Sequence, residues 1–184
     1  MKRFKPGDAV LIIPKFVHLY TAPRAVIIDV KENRFRPMFN EYTVEFADHS
    51  TAKLLEFQII EDVPGCETLI ADLAFDSGPE AGIIQSSGEP SSRRIILQTR
   101  AFQIDMRIST IKSRGTVTGQ IQERSTKNSI EDVEVTLLRD AVFISSVTSP
   151  RLGVFEFIDL PFGSLNILAT LPQHFYRIWG SFSV

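Results

Sequence analysis

Through most of this chain, apolar and polar residues alternate with a period of two. That is the repeat of a strand with one face on a core and the other in water. The clearest run is Phe102-Gln103-Ile104-Asp105-Met106-Arg107-Ile108, which places Phe102, Ile104, Met106 and Ile108 on one side and Gln103, Asp105 and Arg107 on the other. Tyr42 to Phe46 and Asp132 to Leu138 repeat the pattern. Leu69 to Asp76 predicts another strand, with Leu69, Ala71, Leu73 and Phe75 on one face. Shorter apolar runs, Ala9 to Ile13 and Ala25 to Val30, are bounded by the turn-forming Phe4-Lys5-Pro6-Gly7-Asp8, by a loop from His18 to Arg24 and by Arg36-Pro37. Asp48-His49-Ser50 reads as a tight turn before a strand from Ala52 to Ile60. The expected fold class is all-β.

These elements sort into two modules. Residues 1–62 hold short strands joined by turns every ten or so residues, which suggests a small barrel. Residues 63–68, with Pro64-Gly65, read as a linker, and residues 69–184 form the second module. Ser77 to Ser92 is rich in Ser, Gly and Pro and predicts a flexible loop, followed by a strand from Arg93 to Thr99. Further strands are expected at Thr116 to Ile121, Ala141 to Thr148, Gly153 to Phe157 and Asn166 to Leu171, with a polar loop at Glu123 to Ser129. The stretch Phe175 to Phe182 places Phe175, Tyr176, Trp179 and Phe182 near the end of the chain. It can form a last strand or dock on a partner through its rings.

The order Gly7-Asp8, apolar strand, loop, strand, Tyr42-x-Val44-x-Phe46, turn and closing strand resembles the SH3-like barrels, a group that includes Tudor and KOW modules and the small barrel of the nitrile hydratase β chain. The second module carries Val117, Gly119 and Ile121, then Val133, Val135 and Leu137, then Gly153, Phe155 and Phe157, then Leu160-Pro161-x-Gly163 and Ile167. This succession, over about residues 115 to 172, resembles the carboxypeptidase regulatory-like domain, a transthyretin-like β-sandwich. Two positions differ from the family pattern: Ser149-Pro150-Arg151-Leu152 lacks the usual acidic residue, and Leu165 stands where a Tyr is common. Leu69 to Ile108 resembles leader strands that precede such domains in bacterial accessory proteins. The resemblance implies a structural or interaction role beside an enzyme, not catalysis.

Composition narrows the function classes. Of 184 residues, 43% are hydrophobic and 23% charged, enough apolar side chain for a core. The formal net charge of −2 gives no strong field toward nucleic acid or anionic lipid. Fourteen Phe favour the half-buried surface of a sheet. The single Cys66 cannot form an internal disulfide, no run approaches the ~20 apolar residues of a membrane span, and the start lacks the features of a secretory signal. The expectation is a soluble, cytoplasmic protein.

No residue pattern points to catalysis. His18, His49 and His174 are far apart in sequence and show no paired metal-ligand spacing, so no metal and no cofactor is expected. Cys66 lies in the Pro-Gly linker without a nucleophile motif, and there is no Gly-x-Ser-x-Gly elbow or phosphate-binding loop. The candidates are aromatic and basic residues of the first module. Phe16, Tyr20, Phe35, Phe39 and Tyr42 lie in or near its loops beside Lys15, Arg24, Lys31, Arg34 and Arg36. Exposed, such rings cage cations or stack on bases; enclosed, they fill the core of a small barrel. Nine Lys/Arg balance nine Asp/Glu through Asp62, which weighs against nucleic acid. In the second module the sheet edges, Tyr176 and Trp179 are the candidates. The expected function is that of a non-enzymatic adaptor that binds another protein and no membrane. A nucleic-acid-binding regulator and a non-catalytic subunit of a larger enzyme are the alternatives.

Overall fold

The computed structural model describes residues 4–36, 39–78, 91–111, 114–139, 142–150 and 152–184. The chain is all-β, with three five-stranded sheets. It divides into two compact units, with the boundary between Cys66 and Glu67.

The first unit is built on one antiparallel sheet of β1 (Ala9–Ile12), β2 (Arg24–Lys31), β3 (Glu41–Glu45), β4 (Thr51–Leu55) and β5 (Ile59–Glu61), in the order β4-β3-β2-β1-β5. Its core gathers Val10 and Ile12, Ala25 and Ile27, Tyr42 and Val44, Leu54 and Ile59. The apolar run in β2 contains a bulge: Ile27 pairs with Val44 but Asp29 with Thr43, so Ile28 is left over. The extra residue shifts the alternation by one. Ala25 and Ile27 point inward before it and Val30 packs on the same core after it, whereas an unbroken strand would have turned Asp29 inward.

The single strand expected from Ala52 to Ile60 is interrupted. A 3-10 turn over Glu56–Gln58 separates β4 from β5. Leu55 N–H donates to Oε1 of Gln58 at 2.8 Å, and Glu56 N–H donates to the carbonyl of Asn40 at 3.0 Å. The turn lets the chain leave β4 at one end of the sheet and join β1 at the other. A helical turn, α1 (Pro14–Val17), follows β1 and opens on a proline, whose fixed φ and missing N–H suit a first helical position.

The second unit has two sheets. The first contains β7 (Asp72–Asp76), β8 (Ser91–Gln98), β9 (Phe102–Ile111), β10 (Arg114–Glu123) and β13 (Val154–Pro161), in the order β13-β10-β9-β8-β7. The other contains β6 (Glu67–Ile70), β11 (Glu134–Arg139), β12 (Val142–Thr148), β14 (Ser164–Leu171) and β15 (Tyr176–Ser183), in the order β12-β11-β14-β15-β6. Their facing side chains share one core, with Ile104, Met106 and Val117 from one sheet and Val135, Ile167 and Ile178 from the other. This is a sandwich-like arrangement.

Three sequence expectations change here. The strand expected from Leu69 to Asp76 is two strands in different sheets, β6 beside β15 and β7 beside β8, and the chain crosses over at Ala71. Strand pairing starts at Glu67, inside the segment 63–68 expected as linker. The Ser-rich loop expected at 77–92 falls largely outside the described residues, since 79–90 do, while Ser91 and Ser92 already belong to β8. In β13 a bulge at Ile158 and Asp159 again resets the alternation, so that Phe155, Phe157 and Leu160 are all buried. Asp159 takes a positive φ of 62° there.

Candidate functional site

Only part of the aromatic cluster read from the sequence reaches the surface. Tyr42, on β3, has no exposure; its ring meets Phe4 edge-on at 5.7 Å. It is a core residue, which corrects its place among the surface candidates: its position on β3 points inward with Val44. Phe16 on α1 and Phe39 before β3 converge on Phe57, with ring centroids 5.8 and 6.2 Å from it, both edge-on. Lys15 Nζ lies 5.8 Å from the centre of the Phe16 ring. Tyr20 is half-buried near Phe46 and accepts a hydrogen bond from Nε2 of Gln58 at 3.3 Å.

Phe57 escaped the sequence reading. It sits in the stretch whose sequence predicts one strand, and the 3-10 turn brings it against Phe16 and Phe39. A signal is present in Glu56 and Gln58, two polar residues that flank it between the apolar pairs Leu54-Leu55 and Ile59-Ile60.

Phe35 is different: it is 94% exposed, with Arg34 and Arg36 exposed on either side. The backbone that carries them is closely held. Oδ1 of Asn33 accepts from the N–H groups of Phe35 and Arg36 at 3.1 and 3.0 Å, an Asx-type turn. Asn33 N–H donates to Oδ1 of Asn40 at 2.8 Å, which closes the base of the loop. Asn40, nearly fully buried, donates from Nδ2 to Oε2 of Glu56 at 2.6 Å, and the Tyr42 hydroxyl donates to the same oxygen at 2.9 Å. Burial and the Glu56 carboxylate raise the pKa of the Tyr42 phenol. The buried Asn40–Tyr42–Glu56 network thus braces the turn that exposes Arg34, Phe35 and Arg36.

Among the described residues neither Arg34 nor Arg36 has an ion pair. Two other cations of this unit do, Arg24 with Asp62 at 3.3 Å and Lys53 with Glu41 at 2.9 Å. His49, in the turn after β3, sits 2.7 Å from Glu45, whose carboxylate raises its pKa.

In the second unit the aromatic stretch after His174 forms β15, which is hydrogen-bonded on both sides, to β14 and β6. Tyr176 is half-buried with its ring 5.5 Å from that of Phe102, and His174 meets the same ring at 5.7 Å. Trp179, opposite Leu168, is buried. Trp179 is therefore enclosed within the sandwich, whereas the Tyr176 ring keeps part of its surface exposed. Phe175, at a positive φ of 57° just before the strand, is exposed.

Among the described residues, no three His, Cys, Asp or Glu side chains gather as metal ligands would, and no helix is long and apolar enough to cross a membrane. Cys66, the last residue before β6, is half-buried. No family model, curated protein or solved structure matches the chain.

Proposed function

We propose that this protein is a non-enzymatic, cytoplasmic adaptor that binds another protein through the turn carrying Arg34, Phe35 and Arg36. The observation behind this reading is the near-complete exposure of Phe35 on a loop braced from below. Covering such a ring stabilises a complex by roughly 1.5–3 kcal/mol, and a turn already fixed by Asn33 and Asn40 loses little freedom on binding. In this reading the first unit is an SH3-like barrel. Its strand order β4-β3-β2-β1-β5 and the 3-10 turn before the closing strand support that assignment. The second unit is a transthyretin-like sandwich of the carboxypeptidase regulatory-like kind. Its two five-stranded sheets, with Gly119, Phe155, Phe157 and Leu160 at one shared core, support it.

The test is affinity capture from a lysate on the tagged full chain under mild conditions, run beside the Phe35→Ala variant. The expected result is a protein retained by the parent chain and lost with Phe35→Ala. Capture of nothing, or of proteins indifferent to Phe35, overturns the reading.

A further inference from the structure

We infer that the surface around Phe35 takes an acidic segment of another protein, with carboxylates for Arg34 and Arg36 and apolar side chains that cover the Phe35 ring. The inference rests on the adaptor reading and adds the chemistry of the partner.

Local charge carries the argument. The unit as a whole is balanced, nine cations against nine anions through Asp62. Asp62 and Glu41 are paired with Arg24 and Lys53, and Glu56 is taken up by Asn40 and Tyr42. Arg34 and Arg36 stand on the turn without an ion pair among the described residues. A guanidinium presents a planar fork of donors that fits a carboxylate two bonds at a time. Two forks flanking one exposed ring ask for anionic groups on either side of an apolar contact.

The same geometry speaks against a nucleic acid. Single strands are held by several stacked rings along a cationic track. Here Phe16 and Phe39 each pack edge-on against Phe57 and Tyr42 is enclosed, so that Phe35 alone of these rings stands clear of the others. Two guanidinium groups would also release too few counterions to hold a polyanion at ordinary salt.

The experiment presents the full-length chain to a library of short random peptides displayed on phage. Recovered peptides are synthesised with a fluorophore, and their affinity is measured by anisotropy at about 150 mM salt. The expected peptides carry Asp or Glu on both sides of apolar residues. Their affinity falls about tenfold or more with Arg34→Ala/Arg36→Ala and with Phe35→Ala. It is partly kept in Arg34→Lys/Arg36→Lys and weakens as salt rises. All three positions are exposed, so melting curves of the variants should overlay the parent.

Recovered peptides without acidic residues, or indifferent to the two arginines, overturn the inference and leave the adaptor reading intact. So does an empty selection, after which the adaptor reading depends on the capture experiment alone. A labelled single-stranded RNA oligonucleotide serves as the second probe. Binding that depends on Phe35 would assign the turn to nucleic acid and overturn both.

Discussion

Asn40 and Glu56 are bonded to each other twice, across sixteen residues of sequence: Nδ2 of Asn40 donates to Oε2 of Glu56, and the Glu56 N–H donates to the Asn40 carbonyl. The same Asn40 side chain accepts the Asn33 N–H through Oδ1. One buried amide therefore ties the start of the 3-10 turn to the base of the loop that exposes Phe35.

Removing that amide should cost stability and order together. Asn40→Ala leaves the Glu56 carboxylate with one fewer donor and the Asn33 N–H without its acceptor. The expected loss is about 1–3 kcal/mol in a urea titration. Hydrogen exchange at the Asn33 amide should speed up at the same time. Unchanged exchange there would mean that Asn40 does not hold the loop.

Phe57 and Phe35 should behave oppositely on truncation. Phe57→Ala removes two edge-on ring contacts of a half-buried ring, a loss of about 1–2 kcal/mol. Phe35→Ala changes a ring that touches little and should stay within about 0.5 kcal/mol of the parent chain. Thermal melts of both variants check this. A destabilised Phe35→Ala would show that the ring packs on its own protein.

Asp76 and Arg93 give the second unit a pH-dependent element. Nε of Arg93 donates to Oδ1 of Asp76 at 2.6 Å, and a second guanidinium nitrogen reaches Oδ2, so the fork is bidentate. That hydrogen bonding lowers the Asp76 pKa from 3.8 to about 2. The folded value lies below the unfolded one. The contribution is therefore complete above about pH 4 and is lost as the pH falls toward 2. Asp76→Asn should lower stability by about 1–2 kcal/mol at neutral pH, and its melting curve should approach the parent's near pH 2. A gap that stays constant across this range would assign the loss to packing.

Gly119 has no room for a side chain. A Cβ built there would lie 2.3 Å from Cζ of Phe155, its cross-strand partner, whose ring covers the glycine. Gly119→Ala should therefore displace that ring and cost about 1–3 kcal/mol by calorimetry. Combining it with Phe155→Leu, which shortens the intruding side chain, should give a loss smaller than the sum of the two single changes. Strict additivity would rule out the clash.

Gly119 and Phe155 were both visible in the sequence as members of one recurring succession; their contact was not. The same division holds at the candidate site. Arg34, Phe35 and Arg36 stand in the sequence beside Phe16, Phe39 and Tyr42, and nothing in the letters separates the fully exposed Phe35 from the partly covered Phe16 and Phe39 or the enclosed Tyr42. A phenylalanine is equally apolar in either place. Its exposure depends on Asn33, Asn40 and Glu56, which are distant in sequence and which the pairing of β3 with β4 brings together.

What the chain determines locally is its alternation. Phe102 to Ile108 pairs and buries its residues as the period of two requires, because successive side chains of a strand point to opposite faces whatever surrounds them. Tertiary structure decides where that period is broken and which strand lies beside which. The bulges at Ile28 and Ile158, the 3-10 turn at Glu56 and the crossing at Ala71 all exchange a local preference for a distant contact. Such exchanges are stabilised by core packing and by hydrogen bonds between residues far apart in the chain, and no local window of sequence contains both partners.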